Sequence, residues 1–369
     1  MRELLEMGAN MKWTDRMGFN YIHQVVFTGH YTMIKYLVEF GVDIKHQARF
    51  RWFQPIHFCS VFPNKEKGLK ELLKYGAQLD AVDYLGYTLL HFLVKKWPHR
   101  DLRYIQKLLD YGFDPNATSK GGISCLQIIA ASDLCTPKQV LSLARMFIKR
   151  GVDINNVTTH NQQTSLHMAC STEKTSLVDL LLREGAIDTR CKIGSTAFGQ
   201  LFNGNYPKMD IIVIFIKHFA LKKRRGETVE ATVSNEIAHN VYLQKIYRKY
   251  EEDLNRLQSI KIVESHRVTL HDVLCCKISE VVEYLSSASV RDNIFPLKVS
   301  TFFSREIRHR YRKTMEIIEF EEESCRVIHE ISHGKLPYSC LRQISKYLSE
   351  RDVKELPAFL RNDNLNRKM

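Results

Sequence analysis

One phrase recurs along the first 220 residues and limits what this chain can fold into. It reads LLEMGANMK from Leu4, LVEFGVDIK from Leu37, LLKYGAQLD from Leu72, LLDYGFDPN from Leu108, FIKRGVDIN from Phe147 and LLREGAIDT from Leu181. Its glycines fall at 8, 41, 76, 112, 151 and 185, in steps of 33, 35, 36, 39 and 34. A second phrase runs out of phase with it: NYIH at 20–23, QPIH at 54–57, TLLH at 88–91, SCLQ at 124–127 and TSLH at 164–167. Self-similarity at such a period marks stacked supersecondary units, each unable to bury its apolar face alone.

The residues of one unit explain its shape. The second phrase opens a short helix, its Thr or Ser offering a hydroxyl to the unpaired amides of the first turn. The Leu pair of the first phrase lies on the apolar face of a second, antiparallel helix. The glycine after it, Gly41, Gly76, Gly112, Gly151 or Gly185, takes the left-handed conformation that ends that helix. A turn such as Asp83-Tyr84-Leu85-Gly86 then leads into the next unit, and Lys120-Gly121-Gly122 is in register with it rather than a phosphate loop.

This pattern resembles the ankyrin repeat, whose period is about 33 residues with a T-P-L-H-x-A signature. The resemblance covers residues 1–220 and rests on two phrases that keep register across six units. It departs from the signature in detail: Pro is kept only at Pro55, and the Ala mainly in His167-Met168-Ala169. The steps of 36 and 39 predict loop insertions around Pro98 and around Leu134–Val140, on the border of the binding face. Met1 falls inside the second helix of a unit, so half a unit is expected to be missing, or the start misassigned. The last unit, from Lys192, carries Phe219 where a glycine is expected, as a capping unit would. Seven units are read, the first partial. His23, His57, His91 and His167 occupy one position in successive units; the resemblance implies hydrogen-bonded bridges between units, and ligands one repeat apart cannot converge on one ion.

Composition narrows the class. Lys plus Arg number 54 against 41 Asp plus Glu, a formal charge of +13, which favours acidic partners. The longest apolar run near the middle, Ile211–Ile216, falls far short of the roughly 20 residues of a membrane span, and the N-terminus shows no secretory apolar region. Nine cysteines, at 59, 125, 135, 170, 191, 275, 276, 325 and 340, form no C-x-x-C pair. Reduced thiols are expected, and with them a soluble intracellular protein, in the cytoplasm, with Lys222–Arg225 either a nuclear-localisation patch or a solvated helix end. Arg305–Lys313 carries five basic residues against one acidic, faced by Glu316 and Glu319–Glu323 downstream; local charge compensation and the lack of interleaved aromatics argue against nucleic acid.

No G-x-S-x-G, G-x-x-x-x-G-K-[ST], H-E-x-x-H or G-x-G-x-x-G is present, so neither an enzyme nor a cofactor is expected. Cys325, His329 and His333, with Cys340 beyond, and the pair His271 and Cys275 have helical spacing, but over two turns they cannot reach one tetrahedral ion unaided. A packed helix face is expected and no metal.

The fold class read is all-α, an ankyrin-repeat solenoid over 1–225, a helical linker over 226–265 and a helical region over 266–369 with a segment of its own at 334–360. In the linker, Val233, Ile237, Val241, Tyr250, Leu254 and Leu257 predict one long helix or two; 268–286 predicts a helix pair, and another helix is expected over roughly 301–319. The last phrase is GKLPYSCLRQISKYLSERDVKEL, 334–356. Leu336 and Pro337 would start a helix striped by Leu341, Ile344, Tyr347 and Leu348, with Asp352 capping a last helix that bears Val353.

That phrase resembles the start of an F-box, with Leu336, Pro337, Leu341, Ile344, Tyr347, Leu348, Asp352 and Val353 in order, although Ser339 stands where Glu is common and Met369 follows too soon for a full module. Ankyrin repeats followed by a truncated F-box resemble the PRANC proteins of poxviruses, parasitoid wasps and bacterial symbionts. The resemblance implies a substrate adaptor of an SCF-type cullin-RING ubiquitin ligase. The ankyrin concave face would hold a protein target, and Leu336, Pro337, Leu341, Ile344, Leu348, Asp352 and Val353 would dock on the F-box-binding adaptor. By analogy the target pathway is innate immune signalling such as NF-κB. A related terminal module, the SOCS box, also follows ankyrin repeats after an LP-like stretch and recruits a different adaptor and cullin. The rival readings are a segment that only caps the solenoid, and a passive ankyrin scaffold or inhibitor without a ligase.

Overall fold

The computed structural model describes residues 10–60, 65–95, 102–132, 136–202, 208–262, 268–286, 301–331 and 336–345. They are helical, and no strand occurs among them; three isolated antiparallel bridges are the extent of β pairing. Chain contacts divide the protein into two compact units, one of Met1–His218 with Glu230–Glu236, the other of Phe219–Val229 with Ile237–Met369.

The first unit is a series of helix pairs. Inner helices are α1 (Tyr21–Thr28), a 3-10 helix over Pro55–Ser60, α4 (Leu89–Lys95), α6 (Cys125–Ala131), α8 (Ser165–Ser171) and α10 (Ala197–Gln200). Their outer partners are α2 (Met33–Glu39), α3 (Lys65–Lys74), α5 (Leu102–Asp110), α7 (Pro137–Lys149), α9 (Thr175–Arg183) and α11 (Met209–Arg224), whose residues from Phe219 on belong to the second unit. The Leu pairs supply the core: Leu37, Leu72, Leu108 and Leu181 are buried, with Phe147 in the same place. Each outer helix from α2 to α9 ends in one motif, in which the glycine amide reaches the carbonyl three residues back and the next amide the carbonyl five back. Gly151 to Ile148 and Val152 to Phe147, at 3.0 and 3.2 Å, are typical. All five glycines sit at positive φ, the αL cap that lets two otherwise orphaned carbonyls find donors.

Three local expectations need correction. The step of 39 is not a plain loop insertion around Leu134–Val140: Thr136, Pro137 and Gln139 build a capping box with Pro at the first position, so α7 begins early and runs 13 residues against nine in α5 and α9. Residues 133–135 and 96–101, the latter around Pro98, lie outside the described residues. QPIH does not open an α-helix. Gln54 brings no short capping side chain, its carbonyl accepts from the His57 amide three residues on, and the turn is 3-10. In the last outer helix Phe219 is a buried residue within α11, which runs on to a left-handed Gly226 with the same terminal motif, Glu227 N to Lys222 O at 3.0 Å.

The linker pattern forms two helices, α12 (Ala231–His239), of which Ala231–Glu236 belong to the first unit, and α13 (Val241–Ser259) in the second, divided at Asn240, whose side chain caps α13. The pair α14 (Leu270–Cys275) and α15 (Ile278–Leu285) follows. Its entry repeats the ankyrin device: Lys261 bridges Thr269 as Arg190 bridges Thr196, and Thr269 forms a capping box with Asp272 in the place of the histidine. α16 spans Ser304–Ile331, 28 residues rather than the expected 301–319, because that stretch holds neither Gly nor Pro. α17 (Tyr338–Ser345) starts just after Pro337, whose carbonyl accepts from Leu341 N at 3.1 Å. No helix among the described residues is long and apolar enough to cross a membrane.

Candidate protein-interaction surface

The surface is built on the stack of turns that precede the inner helices. Each turn is a finger, and one backbone bond joins each finger to the next: Phe50 N to Met17 O, Tyr84 N to Arg51 O, Lys120 N to Leu85 O, Thr159 N to Gly121 O and Lys192 N to Asn161 O, all at 2.9 Å. The chains approach closely enough that a β-carbon on Gly86 would sit 2.7 Å from the Lys120 nitrogen. Gly86 also holds φ +83°, so both sterics and conformation require glycine there. Asp83, fully buried, accepts from Leu85 N and Tyr87 N at 2.9 and 2.8 Å; Asp15 does the same for Met17 and Phe19. In each aspartate Oδ1 takes both turn amides, while Oδ2 of Asp15 accepts from Gln24 Nε2 at 3.1 Å and Oδ2 of Asp83 is buried without a hydrogen bond.

Behind the fingers runs the predicted histidine row, and its work is twofold. Asn20 N, Gln54 N, Thr88 N and Thr164 N donate to Nδ1 of His23, His57, His91 and His167 at 3.0–3.2 Å, so each ring takes up the amide that precedes its own helix, and in His23 and His167 this completes a capping box. That donation fixes the neutral tautomer with a proton on Nε2. This proton reaches the next unit in two cases, His23 to Phe53 O at 2.9 Å and His91 to Ile123 O at 3.0 Å. In His57 and His167 the same carbonyls, Tyr87 and Ser195, act on the ring, but Nε2 makes no hydrogen bond of good geometry. Burial drives the His23 pKa down to about 4, against the Phe53 carbonyl, and lowers the other three for the same cause. The unit of α6 carries Gln127 in this place: Oε1 accepts from Ser124 N and Nε2 donates to Gln163 O, both at 2.8 Å. Sequence reasoning passed over Gln127 because it sought histidine; its position in SCLQ was the available signal.

In front of the row, the first three fingers and inner helices present aromatic rings. Phe53 meets Phe92 at 5.3 Å and Phe19 meets Phe58 at 5.3 Å, both edge-on. Further out, Met17, Phe50, Trp52, Tyr84, Leu85 and Ile193 are exposed on the finger tips. Cations lie over several rings: Arg51 is 5.5 Å from the Tyr84 centroid, Lys120 is 4.9 Å from Trp52, and Lys95 is 5.2 Å from Tyr87. The rows become polar towards the end of the array, with Gln163 and Ser195 in the places of Phe19, Phe53 and Tyr87.

The terminal segment divides by exposure. Leu341, 3% exposed, packs with Cys325 and Ile328, and Leu336 rests half-buried against them. Leu341 is thus a core residue of α16 and α17 and not a free docking anchor; the i, i+3 register that makes a binding stripe also makes a core. Pro337 is exposed and Ile344 is 40% exposed. Leu348, Asp352 and Val353 lie outside the described residues. Cys325 is buried while His329 and Cys340 are exposed, and His333 is outside the described residues. His271 Nε2 accepts from Arg224 at 3.0 Å, and burial raises the Cys275 thiol to about 11.

Comparison with known proteins agrees with this geometry. Residues 128–182 match the family model described as ankyrin repeats (many copies). The chain is 26% identical over 198 residues to Ankyrin repeat and SOCS box protein 6 of Homo sapiens, covering 50% of this chain and 47% of that one. It is 25% identical over 270 residues to Ankyrin repeat protein OPG189 of Monkeypox virus, covering 65% and 47%, and 25% identical over 179 residues to the Nuclear factor NF-kappa-B p105 subunit of Gallus gallus, covering 47% and 18%. The chain spans about half the length of the curated relatives it matches. Among solved structures it is similar to the ankyrin repeat domain of Bcl-3, a member of the IkappaB protein family, at a TM-score of 0.45 and 21% identity over 55% of this chain and 86% of that one. With the repeated phrases, the left-handed helix ends and the finger ladder, the match over 128–182 shows that the chain carries ankyrin repeats.

Proposed function

We propose that this chain is a substrate-recruiting adaptor of a cullin-RING ubiquitin ligase, in which the ankyrin fingers hold a target protein and the segment from Leu336 docks on the F-box-binding adaptor. The observation that carries the reading is α17. One face of this last described helix is fixed through Leu341 on α16, while Ile344 within it and Pro337 just before it are exposed. A short helix held on one side, with Ile344 exposed beside Gln343 on the other, suits helix-in-groove recognition. The similarity to a poxvirus ankyrin protein supports it. No chemistry occurs on this chain: it raises the effective concentration of the target beside a charged ubiquitin carrier. The reading keeps the cytoplasm as its compartment, with Lys222–Arg225 as a nuclear-localisation candidate, and innate immune signalling as the field of its target.

A second reading, in which the segment is a SOCS box, is favoured by the similarity to Ankyrin repeat and SOCS box protein 6. Calorimetry decides. The full chain is titrated against the purified F-box-binding adaptor and, separately, the SOCS-box-binding adaptor, beside an Ile344→Glu variant whose fold is checked by circular dichroism. Binding near micromolar or tighter, lost in the variant, supports the reading, and the adaptor that binds selects between its two forms. A folded chain that binds neither is a passive ankyrin scaffold.

A further inference from the structure

The finger edge carries a charge imbalance that the fold does not use. Across residues 13–18, 48–53, 82–87, 118–123, 157–163 and 190–195 there are six cations, Arg16, Arg49, Arg51, Lys120, Arg190 and Lys192, and two acids, Asp15 and Asp83. Both acids are bound to their own turn amides, and Asp83 is fully buried. None of the six cations forms an ion pair among the described residues. The stack thus brings like charges into one row, where the two carboxylates offset only part of them. Such an edge is stabilised by an anionic ligand and is costly without one.

The same tips carry apolar side chains of the types that dominate binding energy. Trp52 is 49% exposed, and Phe50, Tyr84 and Leu85 are also exposed. Charge and apolar surface are interleaved. Arg51 lies over Tyr84, one finger on, and Lys120 lies over Trp52, two fingers back. Each of these two cations thus rests over a ring, with its N–H donors left for an outside acceptor. A ligand that suits this row alternates carboxylates with apolar or aromatic side chains. A nucleic acid would use the cations and stack on the aromatic rings but would gain nothing from Leu85 or Met17.

We infer that the finger edge around Arg51, Trp52, Tyr84 and Lys120 binds an acidic protein segment bearing apolar or aromatic anchors. This rests on the reading of the chain as a recruiting adaptor and names the chemistry of what it recruits. The site is distinct from α17, so the two can fail separately.

The test is a random-peptide display selection on the full chain, with the Arg51→Glu/Lys120→Glu chain as counter-target. Lys120 is exposed and its φ is ordinary, so Lys120→Glu alone serves as the variant that keeps the fold if the pair does not. The selected peptides are expected to be net acidic with at least one large apolar residue. They bind the unaltered chain about tenfold or more tightly than either variant, and binding weakens as salt rises. Enrichment of basic or neutral peptides, no enrichment, or equal affinity for Lys120→Glu overturns the inference, as does a single-stranded RNA of matched length that displaces the peptide more strongly than a second peptide does. Retained binding of both variants to the ligase adaptor, beside a failed selection, would sink this inference and leave the adaptor reading standing; loss of adaptor binding by the unaltered chain would do the reverse.

Discussion

Replacing His23 by Gln separates what the histidine row contributes as hydrogen bonds from what it contributes as titrating groups. His23 is buried and neutral, with a pKa near 4 against 6.5 in an unfolded chain. Its folded pKa is depressed, so its share of stability is full above pH 6.5 and is lost as pH falls towards 4, because the unfolded ring takes up a proton that the folded one refuses. Between pH 7 and pH 5 the linkage relation puts that loss at about 2 kcal/mol for His23 alone. The pKa values of His57, His91 and His167 move the same way. Glutamine can make both bonds that the ring makes, as Gln127 does three units along the same row, accepting from the cap amide and donating to the next unit at 2.8 Å each. His23→Gln is expected to change the urea unfolding midpoint little at pH 7 and to lessen the loss between pH 7 and pH 5 by that amount, whereas His23→Ala, which leaves a buried amide and carbonyl unpaired, costs about 2–4 kcal/mol at pH 7. Circular dichroism at the two pH values measures all three. If the unaltered chain and His23→Gln lose equal stability between pH 7 and pH 5, the row is not a set of depressed histidines and the linkage argument fails.

Other substitutions test the remaining parts. Gly151 and Gly86 have similar positive φ, but a β-carbon at Gly151 meets open space; Gly151→Ala should cost about 1 kcal/mol and Gly86→Ala about 1–3 kcal/mol more, read from denaturation midpoints. Leu341→Ala should destabilise α17 by about 2–5 kcal/mol, seen as faster hydrogen exchange over 338–345, while Ile344→Glu leaves exchange there unchanged. Burial pushes the Cys59 thiol up to about 12 and raises those of Cys125 and Cys170. Among the described cysteines, the exposed Cys340 should therefore react first with a thiol reagent, with these three silent until unfolding; early labelling of Cys59 would contradict the packing.

The ankyrin part was legible because its signal is repeated. A Leu pair and a glycine at one spacing fix helix, end and register together, and Gly41 to Gly185 could be read without knowing a neighbour. What escaped notice depends on partners far along the chain. The close approach of Gly86 to Lys120 is set by two turns 34 residues apart, and nothing local to either announces it. Gln127 was missed because the role is defined by two hydrogen bonds and not by a residue type. The early start of α7 was written in Thr136-Pro137-x-Gln139, but a step of 39 reads as a loop until the cap is noticed. In the terminal phrase a stripe of Leu341 and Ile344 has one period whether it faces a core or a partner. Only the position of α16 divides the two, and it turns Leu341 inward and Ile344 outward.

The adaptor role is tested most directly by hydrogen exchange on the full chain with and without the F-box-binding adaptor. The account predicts slowed exchange over 336–345 and unchanged exchange across the fingers at 48–53, 82–87 and 118–123. Protection confined to the fingers, with 336–345 unaffected, would make the adaptor an ankyrin target like any other and contradict a docking role for the terminal helix.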